Sequence, residues 1–385
     1  MSKVKLATKP VLRLVVTILA LSLLIACSQG AAEPAPGPRV LSLQAFSGAG
    51  AWALSQEGLL RTNDAGLTWT DVTPIGLRGR DSRMQSPPFA FYLDEGRGWV
   101  AAFEVSTTGP LMAIFATSDG GTTWASQTLQ LDADSGSYGG AGSLFFVDGQ
   151  TGWLMSKLQT SSAASQGVLY GTHDGGQTWT KASIPIGGGF RFMGDFDGWV
   201  AGGAAGGSLY VTHDGGLSWE EQQVPLRSVE KPWLTTVVVP TFFDRSNGVL
   251  PVQVRSETDE GSTLHFFVTN DGGRSWTSTG SPLQTQRGGD IFYGEAAATA
   301  FVDRSKWFLV ADQVYVTHNG GRDSSVIPTT RGLEDIVAID FVSGEAGWAY
   351  LEKTACPDKV NCFTGSLVLT TQDGGRSWAV TAPAP

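Results

Sequence analysis

Acidic side chains that could serve acid–base catalysis or bind a cation recur at one position of an eight-residue phrase, Thr-x-Asp-x-Gly-x-(Ser/Thr)-Trp. The phrase occurs seven times, the sixth in a degenerate form (THNGGRDS). Its acidic position is held by Asp64, Asp119, Asp174, Asp214, Asp271, Asn319 and Asp373, which lie 40 to 57 residues apart. An aspartate repeated in every unit suits a tight turn, because its carboxylate accepts hydrogen bonds from N–H groups a few residues further on. The glycines that follow permit the positive φ of such a turn. We therefore interpret this position as structural and assign no catalytic residue and no metal site.

Two apolar strand patterns precede each phrase, as in SLFFVDGQTGWLM around Trp153. The first is aromatic and the second begins with Gly-Trp; Trp307 is assigned to the Gly-Trp position of the sixth unit, and Val249 replaces the tryptophan in the fifth. Units of this length with four short strands predict a propeller. We predict an all-β, seven-bladed β-propeller with four antiparallel strands, A to D, in each blade. The phrase forms each C–D turn, and the tryptophans pack between blades.

The phrase resembles the Asp-box, or bacterial neuraminidase repeat. The spacing of its three patterns resembles the photosystem II assembly and stability factor type of seven-bladed propeller, over residues 40–382. The resemblance implies the fold. It implies no single function, because Asp-boxes occur in sialidases, other glycosidases, sorting receptors and assembly factors.

The first 38 residues are expected to lie outside the propeller. A basic head and an apolar stretch too short for a stable span are typical of a signal peptide over residues 1–27. The sequence LIAC, ending at Cys27, resembles a lipobox, which implies a lipidated Cys27 and cleavage before it; an uncleaved signal anchor is the alternative. Residues 28–38 are predicted to form a flexible Pro/Ala/Gly tether, and residues 39–385 are predicted to form the propeller. We therefore expect an extracytoplasmic protein, lipid-anchored to a bacterial membrane.

Charge and cysteine content narrow the possible partners. The formal net charge is −10, which argues against nucleic acid as a partner and against electrostatic adhesion to anionic lipid. Outside the cytoplasm, Cys356 and Cys362 most simply form a disulfide. The alternative is a two-cysteine metal site, but no histidine is nearby to complete it. We expect no cofactor.

The variable loops are the predicted site of function. If the phrases are C–D turns, the A–B and C–D turns share one face of the propeller, and the B–C and D–A loops form the other. The candidate binding residues on this loop face are Arg78, Arg80, Arg83, Arg227, Trp233, Arg255, Arg287, Tyr293 and Arg331. Arginine beside an exposed aromatic ring suits a carboxylate, sulfate, sugar or protein surface. The alternative is that the arginines pair with neighbouring acids and that Trp233 fills a gap before the next strand.

Three functions remain open from the sequence. The first is a non-catalytic binding or assembly scaffold with a protein or glycan ligand. The second is a photosystem II assembly factor-like role, and the third is a sialidase-like glycoside hydrolase. The chain has Arg39 without the proline expected near a first sialidase arginine, and Tyr293 with Glu295 is its only suggestive nucleophile pair. How the propeller ring closes also stays open, between packing of blade 1 on blade 7 and strands shared by the two termini.

Overall fold

The computed structural model describes residues 36–79, 86–132, 136–160, 165–203, 206–226, 232–256, 262–280, 282–285, 298–310, 313–329, 333, 336–356 and 362–381. These residues form seven antiparallel sheets, and one 3-10 turn at Ile75–Leu77. Six sheets contain four consecutive strands in the order A–B–C–D, and the fifth along the chain contains six. The predicted all-β, seven-bladed propeller is confirmed. Among the described residues, no helix is long and apolar enough to cross a membrane.

The strands of the blades are numbered along the chain. Blade 1 contains β1 (Val40–Ala45), β2 (Ala51–Ser55), β3 (Leu59–Thr62) and β4 (Thr70–Asp71). Blade 2 contains β5 (Phe89–Tyr92), β6 (Gly98–Ser106), β7 (Gly109–Thr117) and β8 (Ala125–Gln130). Blade 3 contains β9 (Tyr138–Phe146), β10 (Gly152–Leu158), β11 (Gly167–Thr172) and β12 (Thr180–Ala182). Blade 4 contains β13 (Gly189–Met193), β14 (Asp197–Gly202), β15 (Ser208–Thr212) and β16 (Glu220–Glu221).

Blade 5 departs from the four-strand pattern. It contains β17 (Pro232–Val237), β18 (Thr241–Phe242), β19 (Gly248–Ser256), β20 (Ser262–Thr269), β21 (Thr277–Ser278) and β22 (Leu283–Thr285). Its first strand is split, because β17 and β18 both pair with β19, and β22 extends the outer edge of β20. Blade 6 contains β23 (Ala298–Phe301), β24 (Trp307–Val310), β25 (Val314–Thr317) and β26 (Ser325–Ile327). Blade 7 contains β27 (Ile336–Phe341), β28 (Gly347–Ala355), β29 (Phe363–Thr371) and β30 (Ala379–Thr381).

Seven buried apolar clusters hold the blades together, one at each interface between neighbours. The last cluster joins blade 7 to blade 1 through Trp348, Tyr350 and Val40. First strands of several neighbouring blades also contact one another, as β5 contacts β9 and β1 contacts β27, so the A strands are innermost. The core is therefore a ring of interfaces between blades.

The Gly-Trp pair is explained by the packing of one aromatic ring. Phe146, at the end of β9, stacks on Trp99 of the preceding blade with ring centroids 3.7 Å apart, and Phe192 stacks on Trp153 at 3.6 Å. The ring also lies over the glycine of its own blade: a Cβ on Gly152 would be 2.3 Å from Phe146 Cδ1. The glycine makes room for the ring, and the tryptophan receives the ring of the next blade.

The assignment of Trp307 to this tryptophan position is wrong by one residue. In the sheet register Trp307 lies opposite Phe301, the place that glycine holds opposite the aromatic residue in blades 2, 3, 4, 5 and 7. Phe308 instead stacks on Phe341 of the next blade, with centroids 3.7 Å apart. Trp307 shares a buried cluster with Val249. The large ring in blade 6 occupies the interface where blade 5 has a small side chain.

Ring closure combines the two arrangements that the sequence left open. Asp340 Oδ2 accepts a hydrogen bond from the Ala45 N–H at 2.8 Å, so blade 7 packs directly on blade 1. In addition, Gly37 forms an antiparallel bridge with Ser366 of β29, with N–H···O distances of 3.0 and 3.2 Å. β30 pairs with β29 only as far as Val368. The segment before β1 therefore occupies the edge of β29 that β30 leaves open.

Candidate functional site

The aspartate turns use their carboxylates internally. Asp119 accepts hydrogen bonds from Thr123 Oγ1 at 2.6 Å, from Thr123 N at 2.9 Å and from Thr117 Oγ1 at 2.9 Å. The Thr117 hydroxyl in turn accepts a bond from Gly121 N. The bonds from the Thr123 hydroxyl and N–H are the main reason why the pKa of Asp119 is lowered to about 2. Equivalent bonds occur in the turns of Asp64, Asp174, Asp214, Asp271 and Asp373. This is the geometry of a turn-forming residue.

The sixth turn keeps its backbone shape with weaker bonding. Asn319 Oδ1 accepts from Thr317 Oγ1 at 3.0 Å and from Asp323 N at 3.2 Å. Residue 323 has no hydroxyl to bond the amide, and Ser324 stands where the other phrases have tryptophan. Blade 6 therefore lacks one of the indole rings that the other phrases supply.

Only part of the predicted loop-face set lies in the described residues. The structure describes Arg78 and Arg255, and it describes the backbone of Trp233. The other candidate residues, Arg80, Arg83, Arg227, Arg287, Tyr293 and Arg331, and the lipidation candidate Cys27, lie outside the described residues. Two of the described candidate residues lie in strands, although they were predicted to lie in loops. Trp233 lies in β17 and Arg255 in β19, because strands extend into segments that the sequence suggested were loops.

Arg78 lines a groove along the rim between blades 1 and 2. Its Nη1 donates to Asp71 Oδ2 at 2.8 Å, so it pairs with a neighbouring acid, and both side chains are about half exposed (51% and 50%). Although burial opposes the effect, bonds from Thr73 and Arg78 lower the pKa of Asp71. The groove has a volume of about 440 Å³ and also includes Ile75, which is 88% exposed, and Trp124. An arginine, an exposed aliphatic chain and an indole thus lie together at this rim.

The B strands of three B–C hairpins are longer than those of the other four blades. The B strands of blades 2, 5 and 7 have nine residues each, against five in β2 of blade 1. The four additional residues span about 13 Å at a rise of about 3.3 Å per residue. Val105 near the tip in blade 2 is 76% exposed, and Phe363 in blade 7 is 46% exposed. The loop face is therefore uneven and carries apolar side chains at its projections.

The hairpin of blade 7 is closed by a covalent bond. Cys356 and Cys362 form a disulfide with an S–S distance of 2.05 Å, which confirms the predicted pairing. The bond joins the ends of β28 and β29 across the hairpin tip. Its effect is to limit the separation of the two strands at this end of the hairpin.

Two charged groups on the innermost strands did not stand out in the sequence. Arg191, on β13, lies with its guanidinium carbon 5.6 Å from the centroid of Phe145 in the preceding blade. Burial lowers the pKa of Arg191 and raises the pKa of Asp340. They lie on blades 4 and 7. Sequence alone did not distinguish them, because each occupies an ordinary position within a repeated strand pattern.

A second groove lies on the opposite, aspartate-turn face, between blades 5 and 6. It has a volume of about 460 Å³, and its lining includes Phe243, Thr279, Arg304 and Arg322. No function was predicted for this face. The sequence feature that could have indicated the groove is the irregular sixth phrase, which lacks its tryptophan.

The histidines of the phrases do not form a common site. His213 Nδ1 lies 2.6 Å from Asp197 Oδ1 within blade 4, whereas His173 and His318 belong to the turns of blades 3 and 6. Within the described ranges, no group of three or more histidine, cysteine, aspartate or glutamate side chains is arranged to hold a metal ion.

Comparison with known proteins supports the architecture. No protein-family model matches the chain, and no curated protein matches it. Among solved structures, the chain is similar to YCF48 bound to D1 peptide, with 15% identity and a TM-score of 0.53, covering 91% of this chain and 95% of that one. It is also similar to a PL25 ulvan lyase bound to -[GlcA(1-4)Rha3S]- (12%, TM-score 0.49, covering 91% and 99%) and to the GH74 enzyme of Niastella koreensis (13%, TM-score 0.36, covering 90% and 73%). At 15% identity the likeness to YCF48 shows the fold alone, the β-propeller.

Proposed function

We propose that this chain is a membrane-tethered, extracytoplasmic scaffold that binds a protein partner through its loop face and has no catalytic role. The observation that carries the proposal is the set of three extended hairpins, on blades 2, 5 and 7. A rigid ring with unequal projections on one face presents an irregular surface at several separated points, which suits a protein partner.

The chemistry of the described loop face supports binding. Val105 and Phe363 place apolar side chains at two projections of the loop face. At the outer rim beside this face, the groove next to Arg78 combines an arginine with the ring of Trp124. Arginine and aromatic residues at the centre of a contact supply most of the binding energy of protein interfaces. By contrast, the repeated aspartates are engaged by the hydroxyls and N–H groups of their own turns.

Similarity to one solved structure favours a peptide or protein ligand. That structure is YCF48 bound to D1 peptide, so one protein of this fold binds a peptide. It also favours, as a second candidate, the photosystem II assembly factor-like role that the repeat spacing suggested. One contact counts against the sialidase-like alternative: Arg39, its candidate first arginine, pairs with Glu352 across the ring closure at 2.7 Å.

Site-specific photocrosslinking in intact cells tests the loop-face assignment. A photoreactive residue at Val105 on the loop face is compared with one at Leu67 on the aspartate-turn face; the two positions are 76% and 82% exposed. We expect a discrete crosslinked species from position 105 and none from position 67. Equal crosslinking from both positions, or none from either, would refute the assignment.

The anchor and the absence of catalysis need separate measurements. Replacing Cys27 with serine should move the protein from the membrane fraction to the soluble extracytoplasmic fraction and abolish incorporation of labelled palmitate. Unchanged membrane association would remove the lipid anchor from the proposal. Turnover of any substrate in a panel of fluorogenic glycosides, including a sialoside, would restore the hydrolase alternative.

A further inference from the structure

One interface between blades lacks a side chain that the other six contain. The phrase tryptophan of each remaining blade packs in the cluster shared with the preceding blade; these residues are Trp69, Trp124, Trp179, Trp219, Trp276 and Trp378. The cluster between blades 5 and 6 contains no phrase tryptophan, because the corresponding residue of blade 6 is Ser324, which is exposed.

The groove of about 460 Å³ lies at this interface. Its floor includes Phe243 and Val268, which are only partly buried against the cluster of blades 5 and 6. One wall is the outer strand of blade 5, β21, and the residue that follows it, through Thr277 and Thr279. In blade 1 the residue three positions after the phrase tryptophan, Val72, accepts a hydrogen bond from the indole N–H of Trp124. Thr279 holds that position in blade 5. The groove therefore has the location, the apolar floor and the strand edge that receive an indole elsewhere in the ring.

Two arginines border the groove, and Arg304 lies near enough to Asp244 to contribute to the lowered pKa of that carboxyl. Among the described residues, neither Arg304 nor Arg322 takes part in a side-chain hydrogen bond or salt bridge. At the same phrase position as Arg322, Arg274 and Arg376 each donate to the carbonyl of the aspartate in their own turn, at 3.2 and 2.8 Å. No aspartate or glutamate belongs to the described lining of the groove. The two guanidinium groups are thus available to an incoming anion.

We propose that this groove binds a tryptophan side chain that an acidic peptide segment of a protein partner inserts between blades 5 and 6. The indole lies on Phe243 and Val268, where the phrase tryptophan would pack, and carboxylates that flank it pair with Arg304 and Arg322. A volume of about 460 Å³ is within the range of about 300–1,000 Å³ usual for ligand pockets. The ligand supplies the ring that blade 6 lacks.

This site is independent of the proposed scaffold function. The groove residues belong to A–B and C–D turns and to the outer strand, whereas the proposed partner surface is formed by B–C hairpins and D–A loops on the opposite face. Loss of either property leaves the other in place, so the two sets of experiments have separate outcomes.

Ligand-observed NMR with small probes tests the proposal on the whole extracytoplasmic chain. N-acetyl-L-tryptophan, which combines an indole with a carboxylate, should bind with a dissociation constant on the order of 1 mM. N-acetyl-L-tryptophanamide, which lacks the charge, and N-acetyl-L-leucine, which lacks the ring, should each bind about tenfold more weakly. An acidic peptide that contains one tryptophan should bind more tightly than the same peptide with alanine in its place.

Matched variants assign the site. Arg304→Gln and Arg322→Gln should each weaken N-acetyl-L-tryptophan binding about tenfold, whereas Arg376→Gln, at the same phrase position in blade 7, should leave it unchanged. Ser324→Trp should fill the groove, abolish binding and raise the melting temperature by about 2 °C.

Several results would overturn the proposal. They are no binding by the wild-type chain, equal binding of the acid and the amide, and equal loss in the Arg304 and Arg376 variants. Binding that survives Ser324→Trp in a folded protein would place the ligand elsewhere.

Discussion

Replacing Gly152 with alanine should destabilise the propeller, although alanine is ordinarily the better residue in a strand. The added Cβ would lie 2.3 Å from Phe146 Cδ1. The ring cannot retreat, because it stacks on Trp99 at a centroid distance of 3.7 Å and is 1% exposed. Overpacking of this kind costs about 1–3 kcal/mol, and replacing a strand glycine returns about 0.5–1 kcal/mol. The midpoints of these ranges give a net loss of about 1 kcal/mol of unfolding free energy.

Gly171 of the same blade is the matched control. A Cβ there would meet its nearest atom, Trp153 Nε1, at 3.5 Å, which is an ordinary contact. Gly171→Ala should therefore be neutral or stabilising by up to about 1 kcal/mol. Urea unfolding followed by tryptophan fluorescence, together with thermal melting, compares the two variants. For a domain of this size the melting temperature of the Gly152 variant should fall by about 2 °C.

A double-mutant cycle tests the stated cause. Blade 1 has alanine at both corresponding positions, Ala45 and Ala51, which are paired in the sheet. Once Phe146 is alanine, Gly152→Ala should therefore cost nothing more, and the interaction energy between the two changes should be at least about 1 kcal/mol. If the two costs simply add, or if Gly171→Ala destabilises as much as Gly152→Ala, the ring does not explain the glycine.

Asp174→Asn should lower stability at pH 7 more than at pH 3. Bonds from its turn, the first being from the Thr178 hydroxyl, lower the pKa of Asp174 to about 2, below the unfolded value of about 3.9. The ionised Asp174 turn therefore stabilises the fold above pH ~4, and this stabilisation disappears as the pH falls towards 2. Urea titrations in which Asp174→Asn lowers the unfolding free energy equally at pH 7 and pH 3 would contradict this. Gly365→Ala should release the segment before β1, because its Cβ would lie 2.2 Å from the Gly37 carbonyl oxygen. Hydrogen exchange at the Gly37 amide should become faster, and an unchanged rate would refute this. Replacing Cys356 and Cys362, which are separated by six positions, with serine should lower the unfolding free energy by about 2 kcal/mol. An unchanged urea midpoint would show instead that the hairpin tip opens independently of the ring.

The candidate site was only partly predictable. Arg78 was predicted to be a binding residue of the loop face, with pairing to a nearby acid as the alternative. The structure shows it paired with Asp71. Trp233 and Arg255 were expected in loops and lie in strands. Loop length is hard to read from sequence, because an extended hairpin and a polar loop have similar composition when one strand face is exposed.

The groove between blades 5 and 6 was not predicted, although its cause is visible in the sequence. The sequence shows that the sixth phrase has Ser324 in place of tryptophan. The consequence of this replacement becomes apparent only when the tryptophans of the other blades are seen to pack against the preceding blade. The space at an interface is filled or left open by the phrase tryptophan of the following blade, which belongs to a different repeat.

The number of blades, the four-strand units and the turns were determined by the sequence itself. Each rests on short-range rules: alternation along a strand, and an aspartate whose partners lie two to four residues away. Tertiary structure decided what joins distant residues. It set the place of Trp307 against Val249, the bridge from Gly37 to Ser366, and the groove beside Arg304. These contacts depend on how the side chains of two neighbouring repeats pack together at their interface. The pattern within one repeat does not specify the volume that the side chains of the next repeat leave unfilled.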